Sequence, residues 1–195
     1  MELKLETYEW DRTWIEKSED INSKRVLYIG DSISCGTREA LNAIKDNKIL
    51  FDGFGTSKAL DNPYYFPTLS LFAKQENHRN AVIFNNGLHG WHIKKQDYFK
   101  LYGEFLDKLI KEFPDTLIML VLTTFVSNPD YQVDRVIERN IAVKQLAESK
   151  KLPVIDLYTV SEKNRNLQSG DGVHFTDDGY KLLADKVLCV LKNFI

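Results

Sequence analysis

The sequence predicts a three-layer α/β/α sandwich built on a parallel sheet of five strands. Short apolar runs of strand length recur through the chain, and a longer segment with helical spacing follows each of them. Hydroxyls, carboxylates and imidazoles gather just after the runs, where open parallel sheets carry their ligands.

The first run, Arg25 to Ile29 (RVLYI), is stopped by Gly30 and reads as a strand buried on both faces. Lys48 to Phe51, Ala81 to Phe84, Thr116 to Leu122 (TLIMLVL) and Pro153 to Leu157 supply four more. Helical spacing predicts helices over Ser34 to Lys45, Tyr65 to Glu76, Lys95 to Phe113, Tyr131 to Ser149 and Asp177 to Asn193. In the third of these, Tyr98, Tyr102, Phe105, Leu109 and Phe113 form one stripe. The last aligns Leu182, Leu183, the stem of Lys186, Val187, Val190 and Leu191, with Thr176 as its cap. Residues 1–24 match no long period, and Tyr8, Trp10, Trp14 and Ile15 make them an arm or short helix laid against the sheet. No linker divides the chain, so residues 1–195 are expected to form a single domain.

Composition narrows the function. Of 195 residues 43% are hydrophobic and 28% charged, enough for an apolar core without disulfides or metal. With 26 Lys and Arg against 28 Asp and Glu, no basic stripe offers itself to a phosphate backbone, and nucleic acid is not an expected partner. The opening MELKLETYEW has no apolar run of signal-peptide length, and nowhere do 18 apolar residues stand together, so no membrane association is expected. Cys35 and Cys189, without CxxC spacing, point to reduced thiols and a cytoplasmic location.

Two segments carry chemistry. Gly30-Asp31-Ser32-Ile33-Ser34 follows the first strand, where amides at a helix N-terminus can serve a serine. Read alone, Ser32 or Asp31 is a helix cap. Far along the chain, Asp171-Gly-Val-His174 lies in a loop between the last strand and the last helix. That spacing lets Asp171 accept from His174 Nδ1 and leaves Nε2 free to take a serine proton. Read alone, Asp171 makes an Asx turn and His174 is a surface residue. Taken together, Ser32, Asp171 and His174 are the expected catalytic triad. Cys35 is expected to pack against the sheet, and His78 to be a solvated charge near a helix end.

The GDS segment and DGVHFTDDGY (171–180) closely resemble the first and last blocks of the SGNH, or GDSL-type, hydrolase family, and the resemblance runs from about Arg25 to the C-terminus. It implies a flavodoxin-like sandwich, Ser32 as nucleophile, His174 as base, Asp171 as its orienting acid, and esterase, acetylesterase, lipase or thioesterase activity without metal or cofactor. The absence of a G-x-S-x-G elbow argues separately against the α/β-hydrolase fold. The middle blocks depart from the family, which offers a glycine after the second strand and GxND after the third. Here stand Phe54-Gly-Thr-Ser57-Lys58 and Asn85-Asn-Gly-Leu-His89-Gly90. Gly87 matches the motif glycine and His89 takes the place of its asparagine. Candidate oxyanion donors are therefore Ser32, Ser57, Asn86 and His89, while Asp31, Trp91 and His92 are candidate substrate contacts. His89 and His92 are expected to form a polar wall and not a metal site.

The expected reaction is cleavage of a small-molecule ester, first among them short acyl esters of carbohydrates, with Tyr64, Tyr65 and Trp91 as aromatic lining. Alternatives are a lysophospholipase- or thioesterase-type enzyme of the same family, a non-catalytic binding module, or a flavin or phosphate site on the same fold class.

Overall fold

The computed structural model describes residues 4–44, 48–76 and 78–195. Its six-stranded sheet has the order β1-β3-β2-β4-β5-β6. The strands are β1 (Asp11–Trp14), β2 (Lys24–Gly30), β3 (Ile49–Thr56), β4 (Ala81–Phe84), β5 (Leu117–Val121) and β6 (Val154–Ile155). The helices are α1 (Ser32–Ala43), α2 (Tyr65–Ala73), α3 (Lys95–Glu112), α4 (Val133–Lys150), α5 (Leu157–Lys163) and α6 (Asp177–Leu191). From β3 to β6 every pairing is parallel, as the sequence predicts.

Strand periodicity divides the core. Leu27 and Ile29 join Val82 and Phe84 in one apolar cluster with Tyr65 and Leu69 of α2 and the expected stripe of α3. Val26 and Tyr28 face the other way with Ala81 and Ile83, against Ile33 and Leu41 of α1 and Leu183, Val187 and Leu191 of α6. Helices thus cover both faces, which explains why the strands read as continuous apolar runs.

The sheet corrects the five-strand expectation. Within the N-terminal arm, Asp11–Trp14 pair antiparallel with β3, matching Asp11 to Thr56 and Trp14 to Gly53. All four residues are exposed on this edge strand, so they carry no apolar alternation by which to be recognised. β3 itself runs past Phe51 to Thr56, through Asp52, Gly53 and Gly55. A Cβ on Gly55 would lie 2.2 Å from Cys35 Sγ, so glycine here makes room for α1. The last predicted strand contracts to Val154–Ile155, and Leu157 opens the unforeseen α5, capped where Asp156 accepts from Thr159 N–H at 2.9 Å. The first helix ends at Ala43, and its expected continuation to Lys45 reaches beyond the described residues.

From β2 the chain crosses to β3 on one side, then returns to β4 on the other. The carboxyl end of β2 is therefore the topological switch point, and Ser32 follows it directly.

Candidate active site

Asp31 and Ser32 divide the work expected of either. Asp31 is the cap of α1, its Oδ1 accepting from Ile33 N–H at 2.9 Å. Ser32 is released from capping, and its Oγ lies 2.8 Å from His174 Nε2. As the first residue of α1, Ser32 also brings a backbone N–H that has no acceptor within the helix.

The candidate base and its acid share one loop. His174 Nδ1 lies 2.6 Å from Asp171 Oδ2, while Oδ1 accepts from Val173 N–H and His174 N–H at 2.9 Å and from Ser169 Oγ at 2.7 Å. Partial burial pulls the Asp171 carboxyl upward. The donations from the His174 ring, Val173, Ser169 and the His174 amide outweigh it and hold the group well below the usual carboxylate range. The loop is fastened to the segment after β5: Gly172 O accepts from Ser127 N–H at 2.8 Å, and Asp171 O from Asn128 Nδ2 at 2.9 Å.

The two loops flanking the serine are tied to each other and to the arm. Ser57 N–H donates to Trp10 O at 3.1 Å and Ser57 Oγ accepts from Trp10 N–H at 2.9 Å, so the backbone donor of Ser57 is engaged. Asn86 is buried, with Nδ2 donating to Lys58 O at 3.0 Å and its carbonyl accepting from Tyr98 OH. Asn85 turns the chain by donating to Val121 O at 2.8 Å. Gly87 admits no side chain, since a Cβ would fall 1.7 Å from Thr123 Oγ1. His89 is partly exposed, edge-on to Trp10 with 6.3 Å between centroids, and its Nδ1 lies 3.7 Å from Glu6 Oε1.

The other candidates are occupied in different ways. His92 Nε2 lies 2.8 Å from Asp61 Oδ2, so His89 and His92 face different carboxylates. The Trp91 ring packs against the guanidinium of Arg139 at 4.5 Å and that of Arg135 at 5.4 Å. Tyr65, expected among the aromatic lining, is fully buried against Phe54, whereas Tyr64 is exposed. Burial, reinforced by the negative charge of Asp31, pushes the Cys35 thiol up to about 11, so at neutral pH it is no thiolate nucleophile. His78 is exposed, as expected.

Sequence reasoning missed Arg139, Glu6 and Asp61. Arg139 had a signal: with Asn140 it places polar side chains on the face of α4 that buries Val136 and Val143. Buried polar pairs at helical spacing mark something held.

No protein-family profile matches the chain, and no curated protein sequence does. Solved structures do. The lipase/acylhydrolase from Enterococcus faecalis superposes with a TM-score of 0.68 at 14% identity, over 87% of this chain and 96% of that one. A member of the lipolytic G-D-S-L family from Veillonella parvula gives 0.68 at 19% identity, over 87% and 99%. An acetyl xylan esterase gives 0.60 at 19%, over 85% and 98%. Agreement over nearly the full length of each of these chains, with a serine at the switch point and its histidine before the last helix, gives this chain the fold of the SGNH, or GDSL-type, hydrolases.

Proposed function

We propose that the chain is a serine ester hydrolase acting on short acyl esters, acetylated carbohydrates foremost. The observation that carries the reading is the unbroken line from Asp171 Oδ2 to His174 Nδ1 at 2.6 Å and from His174 Nε2 to Ser32 Oγ at 2.8 Å. Its members come from opposite ends of the sequence, and neither capping nor turn formation requires them to meet.

In this reading Ser32 Oγ attacks the ester carbonyl carbon while its proton passes to His174 Nε2. The ionised Asp171 stabilises the imidazolium and fixes its ring. The tetrahedral oxyanion is met by the Ser32 N–H at the positive end of α1 and by the His89 side chain, with Ser57 and Asn86 bracing the loops around it. Collapse breaks the ester C–O bond, and His174 returns the proton to the departing alcohol. Water, deprotonated by the same Nε2, then releases the acid from Ser32 and restores the hydroxyl.

The openness of the site favours a small acyl group. His174 and Asp171 side chains remain 41% and 48% exposed, so a large alcohol portion can stay in solvent, with Tyr64 available for stacking. The likeness to an acetyl xylan esterase fits the same substrate class.

The test is covalent labelling by a fluorophosphonate, together with hydrolysis of p-nitrophenyl esters of rising chain length beside acetylated xylo-oligosaccharides. Wild-type protein is expected to be labelled and to favour acetyl esters. Ser32→Ala should lose the label and roughly 10⁴-fold in kcat, as removal of a triad nucleophile does. Activity above about a tenth of wild type in Ser32→Ala, with contaminating hydrolase excluded, would sink the reading.

A further inference from the structure

We propose that Glu6, on the N-terminal arm, is a positioning residue of the active site. Acting through Gly90 and His89, it holds the loop after β4 in the arrangement from which His89 meets the oxyanion. This rests on the reading of Ser32 and His89 given above.

The peptide unit joining His89 to Gly90 is gripped at both ends. Its oxygen accepts from Arg139 Nη1 at 2.7 Å, and its N–H donates to Glu6 Oε1 at 2.7 Å. A cation thus holds the carbonyl end and an anion the amide end of one dipole, each through a charge-assisted bond. Rotating that peptide would break both. Arg139 extends the grip to Gly87 O at 2.8 Å and Gly90 O at 2.6 Å. It is itself buried between the rings of Trp91 and Tyr98, at 4.5 and 4.6 Å. Gly90 turns the loop at φ +68°, which favours glycine.

Glu6 completes this grip from outside. The His89 ring, against the opposing pull of burial and with help from the Gly90 amide, holds the Glu6 carboxyl below its ordinary range, so it is an anion at neutral pH. The arm is secured four residues later, where Trp10 exchanges two hydrogen bonds with Ser57 and presents its ring to the edge of His89. The Glu6 side chain is itself 26% exposed and accepts a part-buried hydrogen bond, so its removal also leaves the Gly90 amide without this acceptor. Its loss should therefore be read in turnover of the folded protein, beside a modest loss of stability.

The experiment is a double-mutant cycle on the full chain with p-nitrophenyl acetate, joined to melting curves and ¹⁵N-histidine NMR. His89→Ala is expected to lower kcat by roughly 10²-fold, as loss of one oxyanion donor does. Glu6→Ala should lower it by about tenfold through misplacement, with KM nearly unchanged and a modest fall in melting temperature that leaves the protein folded at the assay temperature. Glu6→Gln, which keeps an acceptor for Gly90, should recover part of the rate. The double variant should be no slower than His89→Ala, and the His89 ring signals should move in Glu6→Ala while those of His174 stay. Wild-type kcat in Glu6→Ala beside a slow His89→Ala would overturn the role of Glu6 alone. So would equal losses from Glu6→Ala in both backgrounds, or unmoved His89 signals. Wild-type kcat in His89→Ala would instead overturn the oxyanion reading.

Discussion

At the scale of single residues, Asp171 shows how one carboxylate does two jobs. Its Oδ1 builds the Asx turn by accepting the amides of Val173 and His174, and its Oδ2 faces the imidazole. The turn and the contact with the imidazole are thus made by one side chain, because the turn is what aims the second oxygen. The spacing made this pair legible in the sequence. Glu6 was not legible: it stands 84 residues from the amide it accepts, in a polar stretch without periodicity. The Asp171 carboxyl is depressed in the folded chain, so its stabilising contribution is complete above the ordinary carboxylate range and is lost only as pH falls through the depressed value. It follows that the acid limb of the kcat/KM profile should have unit slope above about pH 5, the region where ordinary carboxylates have ionised, with the base as its single ionisation. A slope of two would mean that Asp171 titrates with the base. Asp171→Asn should lower the plateau by about 10²-fold or more, yet by less than the roughly 10⁴-fold found for a buried triad aspartate. With its side chain 48% exposed, water takes over part of its role.

At the scale of elements, the loops decide where chemistry sits and the helices hold them there. The buried parallel strands and the long helices were legible because each repeats a period several times. For α6 the burial is centred on Leu183, Ala184, Val187, Leu188 and Leu191, a slight rotation from the expected stripe that leaves Leu182 and Val190 half-buried. β1 and α5 escaped because four exposed residues and seven residues, respectively, are too few to establish a period. The acid–base loop is a sharper case. Gly172 adopts φ +68°, and a Cβ there would lie 2.7 Å from Asn128 N, in the segment whose N–H groups donate to the loop and hold it. Gly172→Ala should therefore cost about 1–2 kcal/mol of left-handed strain alone and push Asp171 and His174 away from Asn128. The expected outcome is a lower melting temperature together with slower fluorophosphonate labelling of Ser32. Wild-type labelling in a destabilised protein would show that the loop fastening to Asn128 does not govern the base.

At the scale of the whole molecule, the arm joins the two ends of the sheet. Near the site it is held by Glu6 and Trp10, and at the far end by a buried ion cluster. Arg25, the second residue of β2, donates to the arm carbonyls of Glu16, Lys17 and Asp20 at 2.8–3.2 Å and to Asp52 Oδ1 at 2.7 Å. Asp52 also takes Glu16 N–H at 3.1 Å and lies 3.5 Å from Arg79. A charged residue in the middle of β3 is why that strand read as ending at Phe51, and the partners that tolerate it are distant in sequence. Two guanidiniums are brought into the core around this carboxylate, with Glu76 a more distant second partner at 3.6 Å from Arg25 Nε, so removing the Asp52 charge leaves them undercompensated. Asp52→Asn keeps the acceptor for Glu16 and the shape of the strand but loses the anion. It should cost about 3–5 kcal/mol in urea unfolding, the range measured when one partner of a buried pair is removed. Asp52 pairs in register with Leu27, short of the strand end that carries Ser32, so kcat of the folded fraction should stay at the wild-type value. Unchanged stability with a fall in kcat would mean that the cluster serves the site and not the attachment of the arm.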